Sequence, residues 1–353
     1  MKKLFPIILS FAFFVTSCGL SEADVDVRVA QTVEAISVGW TASAATEMAI
    51  VLPSPSPFSP SSAVPTSSPA PTLVATTTPI STSEPYLYSE LPPEDWREWP
   101  VIPTSISPKM IAVYELGQLQ GNNPNAFTKI GDCHSMPPEF FAVFEEDNYD
   151  LGEFAYLQAT IDYFPGSFAR QGRAAKLGLT ATGVLSVLWN DWKDCTSMET
   201  PLDCEYRLQK PSFVIISLGT NDANGSAPFE TTLRRVIDVT IGNGVVPILA
   251  TKADNAEGDH ALNETIARLA YEYEIPMWNF WRAVQPLPDH GVILPDHREH
   301  LSYPAGFVSR GDLREEYLEF GYNMRNLTGL QVLDVVRRNI LGEPLAFIPT
   351  PLP

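Results

Sequence analysis

Three short polar clusters bring together residue types that can do covalent chemistry: Gly131-Asp132-Cys133-His134-Ser135, Gly219-Thr220-Asn221-Asp222, and Asp296, His297 and His300 near the end. Thiol, imidazole, carboxylate and side-chain amide are the parts of acyl transfer. That chemistry needs a nucleophile, a base within hydrogen-bond reach of it, and donors aimed at the oxyanion of a tetrahedral intermediate. Cys195 and Cys204 lie close together in a polar stretch, so a local disulfide is expected in an oxidising compartment. Cys133 is then the odd thiol, and an odd thiol outside the cytoplasm is either buried or reactive. His297-x-x-His300 with Asp296 invites a metal reading. Two histidines at that spacing are common, however, and neither a Cys-x-x-Cys nor a His-Glu-x-x-His accompanies them. No metal and no cofactor is expected.

The clusters need a scaffold to bring them together. Short apolar runs alternate with longer helical patterns, which is the signature of a parallel α/β sheet. Strands are expected over 127–130, 213–218, 245–250 and 276–280, and helices over 173–189, 230–241, 260–273 and 330–340. Ligands of such sheets sit beyond the carboxyl ends of the strands. The first two clusters each come directly after an expected strand. Lys252, Asp254, Asn255, Asp259 and His260 come after a third and read either as the mouth of a cleft or as a solvated loop. Trp278, Phe280 and Trp281 read as core or pocket wall.

The order of these clusters resembles the SGNH (GDSL-like) hydrolases: a Gly-Asp-Ser block, an internal glycine block, a Gly-x-Asn-Asp block and a terminal Asp-x-x-His block. The resemblance spans about residues 126–342, and its strongest element is Ser217-Leu218-Gly219-Thr220-Asn221-Asp222 at a strand end. It implies an α/β, flavodoxin-like three-layer α/β/α sandwich with a central parallel sheet. It also implies that residue 133 attacks, that His300 is the base, and that the backbone of Cys133, a glycine of the second block and the Asn221 amide hold the oxyanion. For that glycine Gly172 is chosen, because it directly precedes the expected helix; Gly178 is the competitor. Two positions depart from the pattern. Cys133 stands where the family has serine, and sulfur, being larger, can misalign a site shaped for oxygen. The family acid would fall on His297, so Asp296, four residues before His300, is the candidate partner. His134 is expected to point away from its neighbour, as on an extended chain, and Ser135 reads as a turn serine.

The start of the chain carries an address. Lys2 and Lys3 precede an apolar run over 4–15 that is too short for a standard membrane span, and Val15-Thr16-Ser17-Cys18 resembles a bacterial lipobox. Lipidation at Cys18 would place the protein outside the cytoplasm on a stable membrane anchor. Residues 19–50 read as a short helix or stalk. Residues 51–88 read as a Pro/Ser/Thr-rich linker that cannot bury enough apolar surface to fold. The hydrolase-like domain is expected over 89–345, with a tail over 346–353. A formal charge of -19 without a basic stripe excludes nucleic acid as a partner. The expected partners are a small-molecule or glycan/lipid ester substrate and, through the anchor, a membrane; the domain is expected to be monomeric. An ester or acyl hydrolase is the leading reading. Its rivals are a catalytically silent glycan-binding module and an envelope acyltransferase.

Overall fold

Consecutive buried residues, rather than alternating ones, mark the central strands, and this pattern requires that both faces of the sheet be covered. In the computed structural model, which describes residues 91–223, 228–293 and 300–346, Phe213, Val214, Ile215 and Ile216 are all buried, as are Val246, Ile248, Leu249 and Ala250. These runs form β3 (Pro211–Ser217) and β4 (Val246–Ala250). They pair in parallel with each other, with β1 (Asn123–Gly131) on one side and β5 (Met277–Trp278) on the other, giving the order β1-β3-β4-β5. A further chain segment lies along the free edge of β1. Gly131 forms a parallel bridge with Ala175, the Gly131 amide donates to the Ala174 carbonyl at 3.0 Å, and the Lys176 amide donates to the Gly131 carbonyl at 3.1 Å. Counting that segment as the second element in the chain, the order is the flavodoxin-like 2-1-3-4-5. A two-stranded parallel piece, β2 (Tyr149–Asp150) with β6 (Gly311–Asp312), stands apart from the main sheet.

The helices are α1 (Pro108–Leu119), α2 (Gln158–Tyr163), α3 (Ala181–Val184), α4 (Pro201–Gln209), α5 (Phe229–Gly242), α6 (Ala261–Tyr273), α7 (Phe280–Val284) and α8 (Gly321–Leu341). α5 buries Phe229, Leu233, Val236, Ile237 and Thr240, the three-and-four spacing of an amphipathic helix on a sheet. α8 is buried on nearly every side, including Asn323, Arg325 and Asn326. Among the described residues no helix is long and apolar enough to cross a membrane.

The helix expected over 173–189 does not form. Ala174–Lys176 extends the sheet edge instead, Gly178 takes a left-handed φ of 73°, and only Ala181–Val184 is α-helical, capped by the Thr180 hydroxyl, which accepts from the Gly183 amide. Alanine and leucine at helical spacing give the expectation, but the bridge to Gly131 satisfies the backbone first.

Gly131 is a glycine because of close approach. A Cβ there would overlap both Ser135 Oγ and the Ser217 carbonyl oxygen, a crowding that no side chain tolerates. Its bareness lets the turn after β1 fold back over the ends of β1 and β3.

Candidate active site

Strand order dictates where a ligand should bind. On either side of the β1/β3 boundary the chain progresses in opposite directions across the sheet, and the crevice at the carboxyl ends of those two strands is left open. β1 runs there into Asp132 and a 3-10 turn, Cys133–Ser135, whose first free amide, that of His134, donates to Asp132 Oδ1 at 2.9 Å. β3 runs into Gly219 and the 3-10 turn Thr220–Asp222. Gly219 holds a φ of 131°, and a Cβ on it would stand 3.1 Å from Lys252 Cδ, so the turn requires glycine twice over.

The two turns and a later loop converge. One donor atom each from Cys133, His134 and His300 lies within 4.8 Å of the others, and the imidazole centroids of His134 and His300 are 5.8 Å apart. His300 is carried by a loop pinned on both sides. The Ile293 amide donates to the His300 carbonyl at 2.9 Å, and Ser302 Oγ accepts from the Gly321 amide, at the start of α8, at 2.9 Å. Asn221 Nδ2 approaches Asp132 Oδ2 and the Leu179 carbonyl, both at 3.4 Å, contacts long enough to be exchanged for a substrate oxygen. Cys133 and His300 line an open cleft of ≈ 320 Å³ together with Glu139, Tyr303, Arg310 and Tyr322.

The proximity of His134 to His300 corrects the expectation that it would point away. Alternation holds for strands, and residues 133–135 are not strand. In a 3-10 turn successive side chains fan round one end, so Cys133 and His134 both reach the crevice. His134 is buried, and burial first of all holds its pKa below the ordinary histidine value, with the Arg325 and His300 charges adding and Asp132 opposing.

Beneath the site lies a group with no motif to announce it. Arg325 of α8 is buried, donates through Nε to the His134 carbonyl at 3.2 Å and through Nη2 to Ser217 Oγ at 3.0 Å, and so ties the turn after β1 to the last residue of β3. Its guanidinium carbon stands 4.7 Å from the Phe140 ring centroid and 5.1 Å from those of Trp278 and Phe280, which makes these aromatics the wall of a cation site. Burial pushes its pKa down to about 10, against the pull of Asp132, so it remains a cation at neutral pH. A polar chamber of ≈ 10 Å³, about the size of one water, is lined by Asp132, His134, Ser217, Lys252, Asp254 and Arg325.

Asp222 faces away from the cleft and accepts from the Ala181 amide at 3.0 and 3.2 Å; burial raises its pKa to about 6. Lys252 and Asp254 are buried braces rather than a solvated loop. Lys252 Nζ contacts Asp254 Oδ1 and Glu257 Oε2, each at 2.5 Å, and Asp254 Oδ2 accepts from Thr220 Oγ at 2.8 Å, fixing the turn that carries Asn221.

Gly172, chosen as an oxyanion glycine, is not at a helix start. A Cβ on it would stand 3.3 Å from the buried Glu205 carboxylate, which accepts from the Arg173 amide at 2.6 Å and pairs with Arg170 and Thr128. In the same loop, Asn221 Nδ2 touches the carbonyl of Leu179, the residue after Gly178. Ser135 is buried with its hydroxyl against Gly131, away from the cleft. Cys195 and Cys204 form a disulfide across the start of α4, and Cys133 is bridged to neither. Asp296, His297 and Cys18 lie outside the described residues.

No protein-family model matches the chain, and neither does any curated protein. Among solved structures it is similar to a protein described as lipolytic, of the G-D-S-L family, from Desulfitobacterium hafniense DCB-2, at 16% identity and a TM-score of 0.38 over 59% of this chain and 99% of that one. It is also similar to a GDSL-like lipase from Bacteroides thetaiotaomicron and to an acetyl xylan esterase from Geobacillus stearothermophilus, each at 15% identity and a TM-score of 0.35 over 64% of this chain and 99% of the other. At these values the three likenesses carry no chemistry across, and the site's own geometry must supply it.

Proposed function

We propose that the chain is an ester or acyl hydrolase working through a thiol. Cys133 Sγ attacks the substrate carbonyl carbon while His300 takes the thiol proton. The carbon-oxygen bond then breaks, and His300 returns that proton to the departing alcohol. Water, deprotonated by His300, cleaves the thioester and restores the thiol. Asn221 Nδ2 and the backbone amides of Cys133 and Gly178 are the donors for the oxyanion, and Asp296 is the proposed carboxylate partner of His300. The observation that carries this reading is the placing of a Cys133 sulfur and a His300 nitrogen within 4.8 Å of each other in the wall of an open cleft. A second recess of ≈ 310 Å³ shares Tyr303 and Arg310 with that cleft, which gives room for a bulky part of a glycan or lipid ester beyond the reacting carbonyl.

If His300 activates the thiol, iodoacetamide should alkylate Cys133 rapidly near neutral pH and at least roughly tenfold more slowly in His300→Ala. Mass spectrometry of the Cys133 peptide over time measures this. Equal rates in the two proteins would remove the thiol-imidazole pair.

The apolar run ending in Val15-Thr16-Ser17-Cys18 supports a lipid anchor on Cys18 and an extracytoplasmic location. Cys18→Ala should release the protein from the membrane fraction or block its processing. A variant that fractionates and migrates like the parent overturns the anchor.

A further inference from the structure

We infer that Cys133, His134 and His300 form a binding site for a borderline-soft divalent cation of the Zn²⁺ kind, and that its occupancy switches the thiol off. The switch rests on the hydrolase reading above; the binding site does not. In the sequence the only metal-like pattern is His297 with His300, which is too common to support a site. The fold assembles a different set.

One thiolate and two imidazoles are a donor set suited to Zn²⁺, and three protein ligands leave a fourth position open. The three donor atoms already lie within 4.8 Å of one another. Bonds of about 2.3 Å to sulfur and about 2.0 Å to nitrogen put tetrahedral donors roughly 3.5 Å apart, so closure onto an ion asks for a contraction of at most about 1.3 Å. The open position falls on the side of the ≈ 320 Å³ cleft, because Cys133 and His300 both line it. With an alcohol at position 133 only two imidazoles would remain. The thiol and its histidine neighbour together make the set.

His134 supplies a second, independent observation. It is 7% exposed, and its Nε2 is buried with no hydrogen-bond partner among the described residues, a state that is costly unless something fills it. The other cluster of this kind, Cys195, Glu199 and Cys204, drops out because both sulfurs are already bridged.

With Zn²⁺ bound, the sulfur and a His300 nitrogen are both committed to the ion. Binding releases the thiol proton to solvent and departure of the ion takes it back, so neither attack nor proton transfer can proceed until the ion leaves.

Cobalt provides a readout independent of turnover. The full chain, reduced at Cys133 and freed of metal with a chelator, is titrated with Co²⁺. A near-ultraviolet thiolate-to-cobalt charge-transfer band should grow to one equivalent and be displaced by Zn²⁺. Cys133→Ser, nearly isosteric, should abolish the band. His134→Gln should weaken Co²⁺ binding by at least the roughly tenfold that even an outer-shell loss costs. Absence of the band at saturating Co²⁺, or a His134→Gln variant that binds like the parent, overturns the site. Zn²⁺ should also protect Cys133 from iodoacetamide, and unprotected alkylation overturns the switch. Ester turnover by the metal-free parent is scored separately: no turnover with the cobalt band present removes the hydrolase reading and leaves the site, and turnover without the band does the reverse.

Discussion

Cys133→Ala should lower turnover of a short-chain aryl ester by on the order of 10⁴-fold or more, with stability changed by less than about 1 kcal/mol. The substitution removes one sulfur from a half-buried turn position whose backbone hydrogen bonds do not depend on it. The cleft survives, as do the Asn221 amide and whatever rate the oxyanion donors provide alone. Cys133→Ser should recover part of the loss, because an alcohol beside His300 can still be activated. It should not recover all of it if the turn has settled around the longer bonds of sulfur. The measurement is initial rates for parent, alanine and serine variants at equal concentration of folded protein. Equal rates in parent and alanine variant would sink the nucleophile assignment, and glycan binding retained in that variant would then favour a silent binding module. If the parent is active, adding an alcohol acceptor and analysing the products separates hydrolysis from acyl transfer.

The parts of this site that are legible in the sequence are those fixed by backbone necessity. A short, β-branched apolar run such as Phe213–Ile216 reads as a strand covered on both faces, and the residues directly after such a strand sit at the sheet's carboxyl end, so the strand itself locates Asn221. The starts of α1 and α4 carry local capping signals too, although neither helix is among those expected from the apolar pattern. Ser107 caps α1 ahead of Pro108, and Thr200 with Asp203 makes a capping box ahead of Pro201. His134 is misplaced by the alternation rule because that rule stops at the end of β1 and does not extend into a 3-10 turn. Gly172 and Gly178 lie in one loop whose course depends on the Gly131–Ala175 bridge and on Glu205, contacts made between residues far apart in sequence. Arg325 leaves no trace at all. It lies in the polar first half of a helix that is buried on nearly all sides, and apolar periodicity is blind to such a helix. The apolar pattern marks only the half from residue 330 onward.

Arg325→Ala should therefore destabilise the fold by about 3–5 kcal/mol, the range for removing one member of a buried charged network. Three losses contribute. The His134 carbonyl and Ser217 Oγ lose their donor, Asp132 loses its nearby cation, and the ring cluster of Phe140, Trp278 and Phe280 surrounds a cavity where the guanidinium stood. Arg325→Lys should rescue less than half of this, since an ammonium on a flexible stem cannot fork to the His134 carbonyl and Ser217 Oγ while also stacking on the rings. The pH dependence comes from the sign of the shift. The folded value, about 10, lies below the unfolded one, so the cost of burying the cation is present in full at all lower pH and fades only above about 10. The partners must outweigh that cost throughout the neutral range. Urea unfolding at constant slope, for parent, alanine and lysine variants, measures the difference. An alanine variant within about 1 kcal/mol of the parent would show that the cation's burial cost cancels its contacts. The turn carrying Cys133 and His134 would then be held by Asp132 and Gly131 instead.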